Sequence, residues 1–212
     1  MSDVVVYFDY LCPFAWRGAE VAQIVERELG LSFEWRHFSL YQSNYASDNR
    51  GDNGGGNGWQ LWNERIDPES DNGSKGLLPF LASCAARRQG KELHNQFRIE
   101  LMRARYLEHK PYTLATLKEV AESVGLHVPK FENDLSDPEC RTTLAHEHHR
   151  AVALDIFGTP TFCFPNGHTA YFRIKALPRS DEEAVNLFQN YWQMLERYPY
   201  LETIKRPRVK GN

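Results

Sequence analysis

Val4-Val5-Val6-Tyr7-Phe8-Asp9-Tyr10-Leu11-Cys12-Pro13-Phe14-Ala15-Trp16 joins a short apolar run to one cysteine, a proline and residues of helical period. The run from Val4 to Phe8 has the length and β-branched content of a buried strand. Pro13 suits the first turn of a helix, where its missing N–H costs nothing. Cys12 therefore falls where a strand hands over to a helix N-terminus. Unpaired backbone N–H groups and the positive end of the helix dipole favour an anion there, so the expectation is a nucleophilic thiol with a lowered pKa. The competing role is that of a small buried hydrophobe, the commonest fate of a cysteine.

Working outward, Phe14, Ala19, Ala22, Val25 and Leu29 recur at helical spacing and Gly30 is a ready C-cap. Leu31, Phe33 and Trp35 then alternate with polar neighbours, the pattern of a half-buried strand. Strand, helix, strand in so short a span is a βαβ unit, with parallel strands and a right-handed crossover. The stretch 43–58 turns to Asn, Asp, Ser and Gly and reads as a long mobile loop. Its Arg50-Gly51-Asp52 triplet matches an integrin-binding tripeptide and carries little weight without a secretion signal. Residues 77–88, 92–107 and 114–124 are amphipathic helices. Ser136-Asp137-Pro138-Glu139 reads as the capping box of a fourth, running to about Asp155. After these four helices, Thr161 to Phe164 and Thr169 to Ile174 form a hairpin around Asn166-Gly167. Ser180-Asp181-Glu182-Glu183 caps a last amphipathic helix, and a basic tail from Lys205 is expected to fray.

The order βαβ, helices, ββα is that of an α/β thioredoxin-like fold with an all-helical insertion domain. The expected division is 1–58 with 156–212 for the split thioredoxin-like part and 59–155 for the insert. Gly158-Thr159-Pro160-Thr161 opens the hairpin, where proline must sit at a strand start or edge. A cis Thr159–Pro160 bond there would turn the backbone of Thr159 toward the cysteine.

Composition excludes other classes. The 212 residues are 42% apolar, enough for a real core, and the net charge of −3 gives no basic field for nucleic acid or an anionic membrane. No window reaches the apolar length of a membrane span, and the start lacks a signal-peptide pattern, so the expected localisation is cytoplasmic. Cys12, Cys84, Cys140 and Cys163 form no CxxC pair and no metal-ligand spacing, which argues for reduced thiols and against a zinc module or a disulfide framework. His146-Glu147-His148-His149 begins like a zinc motif but has Arg150 where the second histidine belongs, so it reads as a polar helix face.

Taken together, Phe8-Asp9-Tyr10, Cys12-Pro13-Phe14-Ala15-Trp16, the helical insert and Ile156-Phe157-Gly158-Thr159-Pro160-Thr161-Phe162 resemble the DsbA-like thioredoxin family. Within it the chain is most similar to the FrnE-like branch, related to 2-hydroxychromene-2-carboxylate isomerases and kappa-class glutathione transferases. The likeness spans roughly residues 4–198. It implies Cys12 as nucleophile, a cis Pro160, and a substrate or glutathione groove formed by Pro13, Phe14, Trp16, Thr159 and Pro160. It implies no permanently bound cofactor, glutathione as co-substrate, a small thiol or a peptide or protein thiol as partner, and a homodimer as an expected assembly.

One departure matters. FrnE-like oxidoreductases carry Cys-x-x-Cys, and here the second position is Ala15. Without a resolving thiol, Cys12 can form a mixed disulfide but no internal one. Cys163 is the nearest alternative, yet a strand spaces it ~10 Å from Pro160. Cys84 and Cys140, in the insert, read as packing residues. Three functions follow: a one-thiol oxidoreductase, a glutathione-dependent isomerase or transferase, in which this position is usually serine, and a redox-inactive peptide-binding module. Trp16 has two open roles, groove wall or packing; Trp59 and Trp62 also have two, a lid over Cys12 or an anchor for the loop. Arg173 and Lys175, at the end of the hairpin, are cations that could meet a carboxylate or lie on ordinary surface.

Overall fold

Val4, Val6 and Phe8 point to one side of their strand and Val5 and Tyr7 to the other, and both sides are covered. This is why the run is continuously apolar rather than alternating. In the computed structural model, which describes residues 4–48 and 58–206, strand β1 (Val4–Phe8) is followed by α1 (Pro13–Leu29) and β2 (Phe33–His37). β2 lies parallel to β1 with Val4 opposite Phe33 and Phe8 opposite His37, as the βαβ reading requires. Gly30 closes α1 in the left-handed conformation, φ 65°, its N–H reaching the Glu26 carbonyl.

The expected loop at 43–58 is corrected in its first part by α2 (Leu40–Asp48). Ser39 Oγ accepts from the Gln42 N–H at 3.2 Å, so the Ser-x-x-Gln cap outweighs the polar composition. The Gln42 side chain then holds the Trp59 carbonyl and the Leu61 N–H. Residues 49–57, with the Arg50-Gly51-Asp52 triplet, lie outside the described residues, as does the tail beyond 206.

A 3-10 turn at Leu61–Asn63 leads to α3 (Leu77–Arg87), α4 (Lys91–Tyr106), α5 (Leu114–Ser123), α6 (Val128–Leu135) and α7 (Pro138–Ala153). The insert therefore holds five helices among the described residues, not four. The addition, α6, is eight residues long and is capped by His127 Nδ1, an acceptor that helix-start patterns do not favour. The N-cap of α7 is Asp137 rather than Ser136, its carboxylate accepting from the Glu139 N–H. Every residue of α3 from Leu77 to Ala86 is buried, as expected of a helix enclosed by α4, α6 and α7.

The chain then returns through β3 (Thr161–Cys163) and β4 (Thr169–Tyr171) to α8 (Asp181–Arg197). The sheet order is β2-β1-β3-β4, with β3 antiparallel to both neighbours. Ser180 Oγ caps α8 through the Glu183 N–H, as the capping box predicts, while the Glu183 carboxylate turns to Arg179. Phe162 and Phe164 pack on Phe188 of α8, and α1 lies beside α8 on the same face. The opposite face of β1 meets Phe38, Ala151 and Ile156.

A buried polar chain joins the sheet to the insert. Glu147 accepts from the His37 backbone N–H at 2.8 Å and from Arg87 at 2.6 Å, and His37 Nδ1 stands 2.9 Å from it. His37 Nε2 meets Ser83 Oγ at 2.9 Å, and Ser83 Oγ meets His94 Nε2 at 2.9 Å. His148 stacks on Phe38 and accepts from the Ser39 N–H. The polar face expected at 146–149 is thus corrected: Glu147 and His148 are buried, where they accept the His37 and Ser39 backbone N–H groups. No group able to hold a metal is found among the described residues.

Candidate active site

The turn between β1 and α1 is held by Asp9. Its Oδ1 accepts from the Leu11 N–H at 2.8 Å, its Oδ2 from the Leu40 N–H at 2.7 Å, and its carbonyl from the Cys12 N–H at 3.1 Å. Burial raises this carboxyl to about 6 although both N–H bonds favour the carboxylate. The next carbonyl, Tyr10, accepts the hydroxyls of Tyr106 at 2.8 Å and Tyr112 at 3.0 Å, so the insert grips the turn from the far side.

Cys12 is the N-cap of α1 and its side chain makes no cap bond. Instead its Sγ donates to the Thr159 carbonyl at 3.3 Å, bringing together the two motifs 147 residues apart. The Thr159–Pro160 bond is cis, as expected. Gly18, two residues further along α1 than Trp16, allows this approach: a Cβ there would lie 2.5 Å from Pro160 Cγ.

The expectation of a lowered Cys12 pKa is corrected. The N–H groups of Phe14 and Ala15 and the Thr159 hydroxyl do favour the thiolate, as the helix terminus suggests. Burial outweighs them, with neighbouring Asp9 adding in the same direction, and pushes the thiol up. Cys12 is only 4% exposed. The Thr159 hydroxyl is itself buried without another partner among the described residues.

Around the sulfur the surface is aromatic and cationic. The Arg173 guanidinium lies 3.8 Å from the centre of the Phe14 ring and that of Arg17 lies 5.5 Å from it. Tyr171, whose hydroxyl feels both Cys12 and Arg173, stands edge to face with Phe157 at 5.6 Å. Phe157 is 75% exposed, the most exposed phenylalanine beside the groove. Pro13 takes the first position of α1. Trp16 is 7% exposed, stacks on Tyr106 and donates to Glu20.

Other sequence candidates sit elsewhere. Trp59 packs on Tyr45 and Lys75 and donates to Glu64, and Trp62 packs on His148 and His149, so both anchor the segment after α2. Cys163 is opposite Val5, half-buried, and packs on the cluster of Tyr7 and Phe38 rather than beside Cys12. Asp9 does carry a local signal, a carboxylate three residues before the N-cap Cys12. Tyr106 and Tyr171 carry no local signal, because only the fold brings them near Cys12.

A family model described as DSBA-like thioredoxin domain matches residues 3–182. An uncharacterised protein of Mycobacterium tuberculosis is 26% identical over 98% of this chain and 83% of its own. Among solved structures, a 2-hydroxychromene-2-carboxylate isomerase superposes with a TM-score of 0.63 at 16% identity, covering 95% of this chain and 100% of that one. The cytosolic disulfide reductase DsbM of Pseudomonas aeruginosa, solved with glutathione, gives 0.60 at 16% identity, covering 94% and 100%. These structural likenesses establish the thioredoxin-like fold with its helical insert. No helix among the described residues is long and apolar enough to cross a membrane.

Proposed function

From the premise that this chain belongs to the DSBA-like thioredoxin domain family, we infer that it exchanges thiols and disulfides through Cys12 alone, with glutathione as the second thiol, on the FrnE-like side of that family. The observation that carries this reading is the Cys12 thiol bonded to the Thr159 carbonyl, with a buried Ala15 where a resolving thiol would stand. Having lost its proton, the Cys12 sulfur attacks one sulfur of a disulfide and expels the other as a thiolate. The Thr159 carbonyl, released from the thiol, is then available to an N–H of the bound substrate. A glutathione thiolate attacks the mixed disulfide and returns Cys12. Phe14, Pro13 and Pro160 form the groove, and Arg17 and Arg173 take the carboxylates of glutathione. Peptide mapping of cysteine alkylation across pH, with glutathione disulfide in parallel, tests this: uptake of one glutathione at Cys12 supports it, and none at Cys12 rejects it.

One observation favours a second reading, a glutathione-dependent isomerase or transferase. A buried thiol held in its neutral form can donate a hydrogen bond to the thiolate of bound glutathione instead of attacking. Cys12→Ser separates the two, since a serine hydroxyl still donates but cannot form a disulfide. Retained isomerase or transferase turnover in that variant favours the second reading, and complete loss of exchange with no other activity favours the first.

A further inference from the structure

Arg98 of α4 is 4% exposed, and its Nε and Nη1 atoms are buried without a hydrogen-bond partner among the described residues. Its guanidinium lies 3.6 Å from the centre of the Trp35 ring, a contact that offsets part of the cost of burying a cation but satisfies no N–H. Burial pulls its pKa down to about 10, against the opposite pull of Tyr10, Glu26 and Glu20, so Arg98 keeps its charge at neutral pH. None of these three groups pairs the two open nitrogens. Glu20 is taken by Arg103 at 2.6 Å and by the Trp16 indole at 3.0 Å, and the Tyr10 hydroxyl is itself buried without a partner. Protein interiors avoid a buried guanidinium with open donors unless an anion completes it.

Arg98 also lines a cavity of about 400 Å³ between α1 and α4, within the size range of small-molecule sites. Gln23, its α1 residue nearer Cys12, is about 16 Å along the helix axis from that cysteine, so the cavity is separate from the groove and independent of the role assigned to Cys12. The lining carries both signs, Lys91 and Arg98 against Glu26 and Glu92. A multiply charged anion would meet two carboxylates there and a simple cation two basic groups, whereas a molecule bearing one charge of each sign matches both. The amides of Gln23, Asn95 and Gln96 complete a polar, hydrogen-bonding wall. Lys91 Nζ donates to Ser32 Oγ at 2.8 Å, which ties the first residue of α4 to the turn after α1.

We propose that this cavity binds a free α-amino acid with a polar side chain, its carboxylate on Arg98 and its ammonium group beside Glu26 and Glu92. Isothermal titration of the full chain with each of the common α-amino acids other than cysteine tests this, with acetate and methylamine as single-charge probes. The expected result is one site for at least one polar amino acid, with both single-charge probes weaker by about tenfold or more. Arg98→Met, which keeps an apolar stem on Trp35, should weaken that amino acid by about tenfold or more. Glu92→Gln, at an exposed position, should weaken it several-fold and decides the matter if the first variant does not fold. Binding of no amino acid would mean a cavity that holds water alone and would overturn the proposal. Equal affinity for acetate or methylamine, or affinity unchanged in Glu92→Gln, would overturn it too.

Discussion

Gly18 lies so close beneath Pro160 that a Cβ on it would come within 2.5 Å of Pro160 Cγ. The proline ring thereby rests on the first turns of α1, and the residue before it, Thr159, presents its carbonyl to Cys12. Both walls of the groove are thus set by one close backbone approach.

Gly18→Ala should push Pro160 and Thr159 away from Cys12. Overpacking of this kind costs about 1–3 kcal/mol, read as a lower urea midpoint. Glutathione uptake at Cys12 should slow as well. A variant with wild-type stability and uptake would show that the contact does not position the groove.

Because burial holds Cys12 in its neutral form, its alkylation should have a midpoint above that of an ordinary thiol. The sign follows for stability: the neutral thiol is favoured when folded, so this contribution is present below the ordinary thiol pKa and lost as pH rises through the folded one. A midpoint below that of a free cysteine, mapped by peptide mass, would refute the account.

Asp9, raised to about 6, binds a proton in the fold that the unfolded chain has already released. Its contribution is therefore present below the unfolded value and is lost as pH rises from about 4 toward 6. A shift of this size corresponds to on the order of 3 kcal/mol. Urea unfolding of the wild type against Asp9→Asn should show a difference that changes across this window, and a difference constant with pH would exclude it.

Glu147 is held well below the usual carboxylate range by His37 and Arg87 despite its burial. The stability it adds is present above the unfolded value and is lost as pH falls. Glu147→Gln leaves Arg87 and His37 with a neutral neighbour, and breaking such a buried pair costs about 3–5 kcal/mol. Chemical denaturation at neutral pH measures this directly; a loss below the error of the method would place the energy elsewhere in the chain of polar groups.

Arg173→Ala should weaken capture of glutathione more than that of an uncharged thiol such as mercaptoethanol. A charge-assisted bond contributes about 1.5–3 kcal/mol, so the half-saturating glutathione concentration should rise on the order of tenfold or more. Equal effects on both thiols would assign Arg173 to packing on Phe14 alone.

The fold was legible in local patterns wherever a segment's own residues decided its state. The βαβ start, the helices at 77–87, 91–106 and 181–197 and the Asn166-Gly167 hairpin followed from periodicity, the Ser180 cap and turn chemistry. So did the two motifs that meet at the site, because cysteine at a helix start and proline at a strand start each carry a local signature. Where a short helix rested on an unusual cap, as at His127, or on Ser39 in a polar context, the local signal was too weak to compete with composition.

What only the tertiary structure decided is the environment of those residues. Local sequence placed Cys12 at a helix N-terminus, where the sign of its pKa shift is downward. Burial of the sulfur in the fold, with Asp9 adding in the same direction, reversed that sign. In the same way, nothing near Glu147 in the sequence announces His37. Desolvation and side-chain pairing depend on which atoms occupy the space around a group, and in a chain of this topology those atoms come from segments far apart in sequence.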